Sequence, residues 1–278
     1  MARAVAAVAA ACAVAALSVG CSTTPTPTGP APVTTTASPA PTGSAAPTAS
    51  AAPTSPTSPA GPAGGGTAFT VAGDNPVTPN GSQDTAADAG GASCDSGRLK
   101  ADQTLGASIA GGFSLEGFPA AADLLTHFLA GTGTEIDYGL GSTISNQAQA
   151  SAGFQDVNGI VQGEIAQQLG DGATRVRLSA SELPTVLFAS TSSDLYWAFR
   201  GTQGLTVSGA GRRENGRYTG TLTYVIRDSY GFPVDDTLDG FGPPMRYLQT
   251  VCGAPQHPGG ARWFPDTITV RVPFNPAS

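Results

Sequence analysis

Residues 218–226 of the 278-residue chain read YTGTLTYVI, and this stretch decides the fold. Its aromatic and aliphatic residues fall on one side of an extended backbone, and these are Tyr218, Leu222, Tyr224 and Ile226. Threonines occupy the other side. Because successive side chains of a strand point to opposite faces, the alternation predicts a long strand with one apolar face.

The same period of two recurs on both sides of this strand. Apolar residues alternate with other residues at three further places, which are Val176 and Leu178, Leu205 and Val207, and every second residue from Ile268 to Phe274. Two short runs rich in β-forming residues, 186–188 and 195–199, are also predicted to be strands. The second half of the domain is therefore predicted to form an antiparallel sheet.

Upstream of residue 172 the apolar period becomes three to four. Pro119 stands near the start and Gly131 just beyond the end of one such segment, which predicts an amphipathic helix. A second stripe consists of Phe154, Val157, Val161, Ile165 and Leu169, and it ends at Gly170. Helices followed by strands indicate an α+β domain over 98–278, with two N-terminal helices packed on the sheet.

The segment 21–97 has the composition of a linker. From residue 22 to 68 every residue except Val33 is Ala, Pro, Ser, Thr or Gly, and no charged residue lies between Arg3 and Asp74. Apart from Val33, such a chain has no large apolar side chains that could offset the entropy of ordering the backbone. We therefore predict a disordered, partly polyproline tether ahead of a single domain.

Residues 1–20 have the pattern of an export signal. Arg3 precedes an uninterrupted apolar run from residue 4 to 17, which is too short to span a bilayer as a helix. Gly20-Cys21 then resembles the end of a bacterial lipoprotein lipobox, although Ser18 stands where that motif usually has leucine. The resemblance implies an acyl anchor on Cys21 at the outer face of the cell membrane. The alternative is an ordinary secretory signal with an incidental cysteine.

Two further cysteines lie in or next to the domain. In an exported protein, Cys94 and Cys252 are expected to form a disulfide, which would tie the start of the domain to a late loop. Two free thiols are the alternative.

The residue inventory argues against several kinds of site. The chain has two histidines, His127 on the exposed side of a predicted helix and His257 in a turn, so we expect no metal site and no cofactor. No nucleophile motif is recognisable, so no catalytic residue is assigned. The net charge of −7 disfavours binding to nucleic acid.

The best candidate for a functional site is the segment from Arg227 to Gly240. It is predicted to leave the long strand as an acidic loop, with Asp228, Tyr230, Asp235, Asp236 and Asp239 as the candidate residues. Grouped carboxylates perform acid–base chemistry when one of them has a raised pKa. Asp228-x-Tyr230 also resembles the start of the Asp-x-Tyr-Asp motif of colicin M-type lipid II phosphatases, with glycine at 231 in place of the second aspartate.

Two hypotheses follow from these observations. The first is a membrane-anchored envelope lipoprotein whose non-enzymatic domain binds a small ligand or another cell-wall or envelope component. The second is a cell-wall-directed hydrolase or toxin-like effector that uses the acidic residues 228–239. A purely structural role would differ from the first hypothesis by the lack of a pocket.

Overall fold

The computed structural model describes residues 66–78, 81–85, 92–233 and 241–275, and its regular elements confirm the α+β class. In chain order they are β1 (Thr67–Asn75), α1 (Ser96–Leu115), α2 (Pro119–Leu129), β2 (Ile136–Tyr138), α3 (Thr143–Ala150), α4 (Ala152–Gly170), β3 (Arg175–Leu178), α5 (Asp194–Ala198), β4 (Gly204–Glu214), β5 (Arg217–Tyr230), α6 (Gly242–Arg246) and β6 (Phe264–Phe274). A π-helical turn, Tyr247–Val251, follows α6.

The strands form one six-stranded sheet with the order β2-β6-β5-β4-β1-β3. The four long strands β1, β4, β5 and β6 are antiparallel, as the alternating patterns predict. The short strands β2 and β3 run parallel to their neighbours, so the sheet is mixed. Parallel pairing requires a crossover connection, and here the helical segments between the paired strands provide it.

The two faces of the sheet differ in composition. On the covered face, Leu222, Tyr224 and Ile226 of β5 are buried under helices, and the Phe154 ring of α4 packs edge-on against Tyr224 at 5.1 Å. On the outer face, the threonines of β5 lie beside exposed small residues of β4 and β1. The 218–226 alternation is thus confirmed, with its apolar side facing the core.

A tight turn fixes the register of β4 and β5. Asn215 and Gly216 connect them with φ angles of 52° and 79°, the left-handed pair typical of a two-residue hairpin. Since a shift of one residue would exchange the two faces, this turn determines which side chains reach the core.

Both predicted helices are present, and their first turns are capped. In α4 the five residues of the predicted stripe are all buried, and Ser151 accepts a hydrogen bond from the Phe154 N–H. Helix α2 begins with Pro119, and its Ala120 and Ala121 N–H groups donate to the buried Asp194 carboxylate at 2.8 and 2.9 Å. Its His127 is half-buried against Phe264 rather than solvent-facing, and the Nε2 atom lies 2.9 Å from the Thr134 carbonyl oxygen.

The predicted linker boundary at residue 97 was wrong. Residues 67–75 form β1, which pairs with β4 along its whole length, because Phe69 and Val71 supply an apolar alternation that enters the core. Helix α1 also begins before residue 98, at Ser96, where Asp95 accepts the Arg98 N–H. The part of the predicted linker from 21 to 65 lies outside the described residues, as does the signal segment.

The predicted strand at 195–199 was also wrong. Residues 194–198 form the short helix α5, because Ser193 caps its first turn by accepting the Leu195 N–H. The run at 186–188 forms no named strand, and Leu187 makes an isolated bridge to Gly201.

The Sγ atoms of Cys94 and Cys252 lie 1.94 Å apart, at disulfide bonding distance. This is the pairing that the sequence predicts, and it joins the segment before α1 to the end of the π-helical turn. The Asp95 N–H, one residue further on, donates to the Tyr247 hydroxyl at 2.7 Å. Within the described part of the chain, no helix combines the length and the apolar character needed to cross a membrane.

Candidate functional site

A cavity of about 400 Å³ opens where β5 leaves the sheet. One wall is the end of β5 with the three residues that follow it, and a second is the segment 196–201 at the end of α5. Aromatic residues are the largest group in the lining and include Phe113, Trp197, Tyr230, Phe232 and Phe241. The charged residues of the described lining are Asp228 and Arg200.

The aromatic lining is held in place by contacts between its own rings. Phe113 packs against Trp197 and Phe241 with centroid distances of 5.7 and 6.4 Å, and Phe232 lies 6.1 Å from Phe241. Tyr230 stacks on Phe264 of β6 at 5.5 Å. Because each ring touches others from different elements, the lining is largely preformed.

Ser82 also lines the cavity, and it belongs to the segment 81–85, which the sequence analysis assigned to the linker. Gln203 Nε2 donates to the Ser82 hydroxyl at 3.0 Å, and Gln249 Nε2 donates to the carbonyl oxygens of Ser82 and Asp84. The Gln249 Oε1 atom accepts the Phe232 N–H at 2.8 Å. Gln249 therefore ties this segment to the end of β5.

Two buried aspartates stand side by side at this end of the sheet. Asp228 of β5 is directly opposite Asp266 of β6 in the antiparallel register, so both side chains point to the covered face. Asp228 is 8% exposed and lines the cavity, whereas Asp266 is 1% exposed and lies behind it. Neither Asp266 oxygen has a hydrogen-bond partner among the residues that the structure describes.

The environment of the pair favours protonation. Burial raises the pKa of Asp266 to about 8, with a further contribution from the negative charge of Glu135. Burial also raises the pKa of Asp228 well above its ordinary value, the neighbouring Asp266 raises it further, and the Ser229 backbone N–H partly opposes the rise. Since two adjacent carboxylates repel each other in a medium of low dielectric constant, the pair retains a proton to higher pH than an isolated aspartate does.

The pKa values of two nearby tyrosines are raised by burial and by the same negative charges. Burial raises the pKa of Tyr230, and the charges of Asp266 and Tyr138 add to that rise. Burial likewise raises the pKa of Tyr138, with smaller contributions from Asp266, Asp123 and Asp194. The region is therefore an acidic pole within the covered face, without a salt bridge to Asp228 from any described residue.

The structure brings together only part of the predicted acidic loop. Asp228 and Tyr230 reach the cavity, although they belong to β5 rather than to a loop. Asp235, Asp236 and Asp239 lie outside the described residues, as does Cys21. No group of three or more metal-binding side chains occurs among the described residues.

Sequence reasoning missed Asp266. The sequence did contain a signal, because Asp266 lies an even number of positions from Ile268, Val270 and Val272 and so falls on the same, apolar side of the last strand. A carboxylate on the apolar side of a strand is expected to be buried. Asp228 is a second example, because it lies on the same side of β5 as Ile226.

The chain matches no protein-family model, no curated protein and no solved structure. Its function therefore has to be argued from the site itself.

Proposed function

We propose that the domain binds a small organic cation with an apolar body, in the cavity at the end of β5, and that it does so outside the cell. The observation that carries the proposal is the buried carboxyl group of Asp228, which lies among aromatic rings in the described part of the wall and is backed by a second buried carboxyl group, Asp266. Arg200, the other charged residue of that wall, is exposed.

The cavity has the size and lining of a small-molecule site. About 400 Å³ falls within the range of roughly 300–1,000 Å³ found for ligand pockets. Aromatic rings on several sides, among them Trp197 and Tyr230, offer both apolar surface and negative ring faces. Such faces attract organic cations, above all quaternary ammonium groups.

The site favours a cation because its carboxyl group, Asp228, is buried, whereas the positive charge of Arg200 in the same wall is exposed and screened by solvent. Asp228 makes no ion pair with any described residue. The carboxyl oxygens of Asp266, behind it, are buried and form no hydrogen bond with any described residue. A bound cation would stabilise the ionised form and release the proton that the pair otherwise retains. Binding is therefore expected to tighten as the pH rises and to be accompanied by proton release.

The geometry favours binding over the alternative of hydrolysis. Acid–base hydrolysis by two carboxyl groups requires both to reach the substrate or its attacking water. Among the described residues, Asp228 is the only carboxylate that lines the cavity, and Asp266 is 1% exposed behind it.

The location rests on the N-terminal sequence. The apolar run from residue 4 to 17, with Gly20-Cys21 after it, supports a lipid anchor on Cys21, and the segment without charges supports a tether between the anchor and the domain. Metabolic labelling with a palmitate analogue tests this part, and a Cys21→Ala chain should lose both the label and membrane attachment. A Cys21→Ala chain that stays in the membrane fraction would contradict it.

The ligand class is tested by titrating the full-length chain with benzyltrimethylammonium and with neopentylbenzene, its uncharged isostere. We expect saturable binding of the cation, and at least ten-fold weaker binding of the neutral compound. Asp228→Asn should remove this preference because the amide keeps the shape of the carboxyl group and loses its charge.

Asp137→Asn is the matched control, since this carboxylate lies on β2, which pairs with β6, is exposed and accepts a hydrogen bond from Thr267. The control should bind the cation as the unmodified chain does. Equal binding of the cation and the isostere, or unchanged cation binding by Asp228→Asn, would refute the proposed ligand class.

A further inference from the structure

The outer face of the sheet carries a row of small side chains with an arginine at each end. From one edge to the other, the register aligns Arg271, Thr223, Ser208, Ala72 and Arg177. Neighbouring strands are about 4.8 Å apart, so the two arginines are separated by roughly 19 Å at their Cα atoms. The row therefore forms a shallow floor bounded by positive charge.

The adjacent row repeats this composition. It consists of Pro273, Thr221, Ala210, Thr70 and Arg175, which are aligned on the same five strands. Except for Thr223, which is half-exposed, the residues of both rows are exposed to solvent. Together the two rows present hydroxyl and methyl groups over a broad flat surface.

The arginines at the margins of this surface are not used by the fold. Arg175, Arg177 and Arg271 form no ion pair with any residue in the described ranges. By contrast, Arg227 on the same face binds Asp74, and Arg212 binds Glu214. Three arginines without an ion pair among the described residues thus lie on one face of a chain whose net charge is −7.

We propose that the outer face binds an extended, hydroxyl-rich polyanion with phosphodiester linkages, which lies across the strands. Its phosphates would contact Arg175, Arg177 and Arg271, since the planar guanidinium group matches phosphate oxygens with two parallel hydrogen bonds. Its hydroxyl groups would meet the threonine and serine side chains between the arginines. This site is independent of the cavity, which opens on a different part of the domain.

Other occupants fit the outer face less well. The two rows contain no aromatic side chain, whereas proteins that bind single-stranded nucleic acid stack bases on aromatic rings. They also contain no large exposed hydrophobic residue that would enter a bilayer, since Leu115, Leu140, Ile160 and Leu187 lie elsewhere. The combination of hydroxyl groups and arginines fits a hydrophilic polymer best.

The proposal is tested with poly(glycerol phosphate) as the probe and the full-length chain as the receptor. We expect binding that weakens with increasing salt, and at least a ten-fold loss of affinity in the double variant Arg177→Gln/Arg271→Gln. The slope of log affinity against log salt should also become shallower by about one for each arginine–phosphate contact removed.

Lys100→Gln/Arg262→Gln is the matched control, because it removes the same charge from exposed residues outside the two rows. The control should stay within two-fold of the unmodified chain, and the unfolding midpoint of both variants should be unchanged. The proposal would be overturned by equal losses in the two double variants. Equally tight binding of oligothymidylate or of phosphatidylglycerol vesicles would also overturn it.

Discussion

The covered and outer faces of the sheet shift the pKa of aspartate in opposite directions. On the outer face, Asp74 accepts hydrogen bonds from Thr206 at 2.6 Å and from Arg227 at 2.5 Å, and these two contacts lower its pKa. On the covered face, Asp228 and Asp266 face each other under helices, and their burial raises both pKa values. The outer face therefore stabilises an ionised carboxylate, whereas the covered face disfavours ionisation of the pair.

The largest expected contrast comes from introducing the same residue on each face of β5. Ile226 is 1% exposed on the covered face, and its neighbour Val225 is half-exposed among threonines on the outer face. We expect Ile226→Thr to lower the free energy of unfolding by about 2–4 kcal/mol, because it buries a hydroxyl group and leaves a cavity. Val225→Thr should change it by less than about 0.5 kcal/mol.

Urea denaturation of the two variants measures this difference. Similar losses in both would mean that the two faces are equally buried, which would contradict the assignment of an open outer face.

The next effect concerns pH and the acidic pair. Because the pKa of Asp266 is raised in the folded state, its contribution to stability is complete below about pH 4 and is lost as the pH rises toward about 8. Asp266→Asn cannot ionise, so this variant should gain stability relative to the unmodified chain with increasing pH.

Urea midpoints of the two chains at pH 4, 6 and 8 check this sign. A constant difference between the chains across these pH values would show that Asp266 ionises normally.

The smallest effect is the opposite pH dependence on the outer face. The lowered pKa of Asp74 means that its contribution is present above about pH 4 and is lost as the pH falls through the folded value. The Asp74→Asn variant should therefore lose slightly less stability than the unmodified chain when the pH falls below about 4. The effect should be smaller than that of Asp266→Asn, because the Asp74 side chain is 57% exposed and solvent screens its ion pair.

Thermal unfolding between pH 2.5 and 5 measures the Asp74 effect. If the pH dependence of stability between pH 2.5 and 5 were altered more by Asp266→Asn than by Asp74→Asn, the result would contradict the assignment of the lowered pKa to the outer face.

Strong periodicity explains what the sequence predicted correctly. The alternation at 218–226 and the stripe from Phe154 to Leu169 each repeat several times, so their elements follow from local pattern alone. Strand β1 was missed because its apolar pair, Phe69 and Val71, is surrounded by small residues and follows a linker-like tract. Helix α1 was missed because its glycines and alanines give it little amphipathic pattern.

The site depends on information that a single sequence does not contain. Asp228 and Asp266 are 38 positions apart in the chain, and only the register of β5 against β6 makes them neighbours. The segment 81–85 reaches the cavity through hydrogen bonds to Gln203 and Gln249, two glutamines whose positions in the sequence give no sign of this role. Pattern predicts which face a residue occupies, whereas register and loop docking decide what it meets there.

The central claim is that Asp228 makes the cavity a site for an organic cation, and calorimetric titration with benzyltrimethylammonium tests it most directly. The account predicts saturable binding that tightens from pH 5 to pH 8, releases protons and is lost in Asp228→Asn. The outer-face variant Arg177→Gln/Arg271→Gln should bind the cation as the unmodified chain does. Binding that is independent of pH and unchanged in Asp228→Asn would contradict the account.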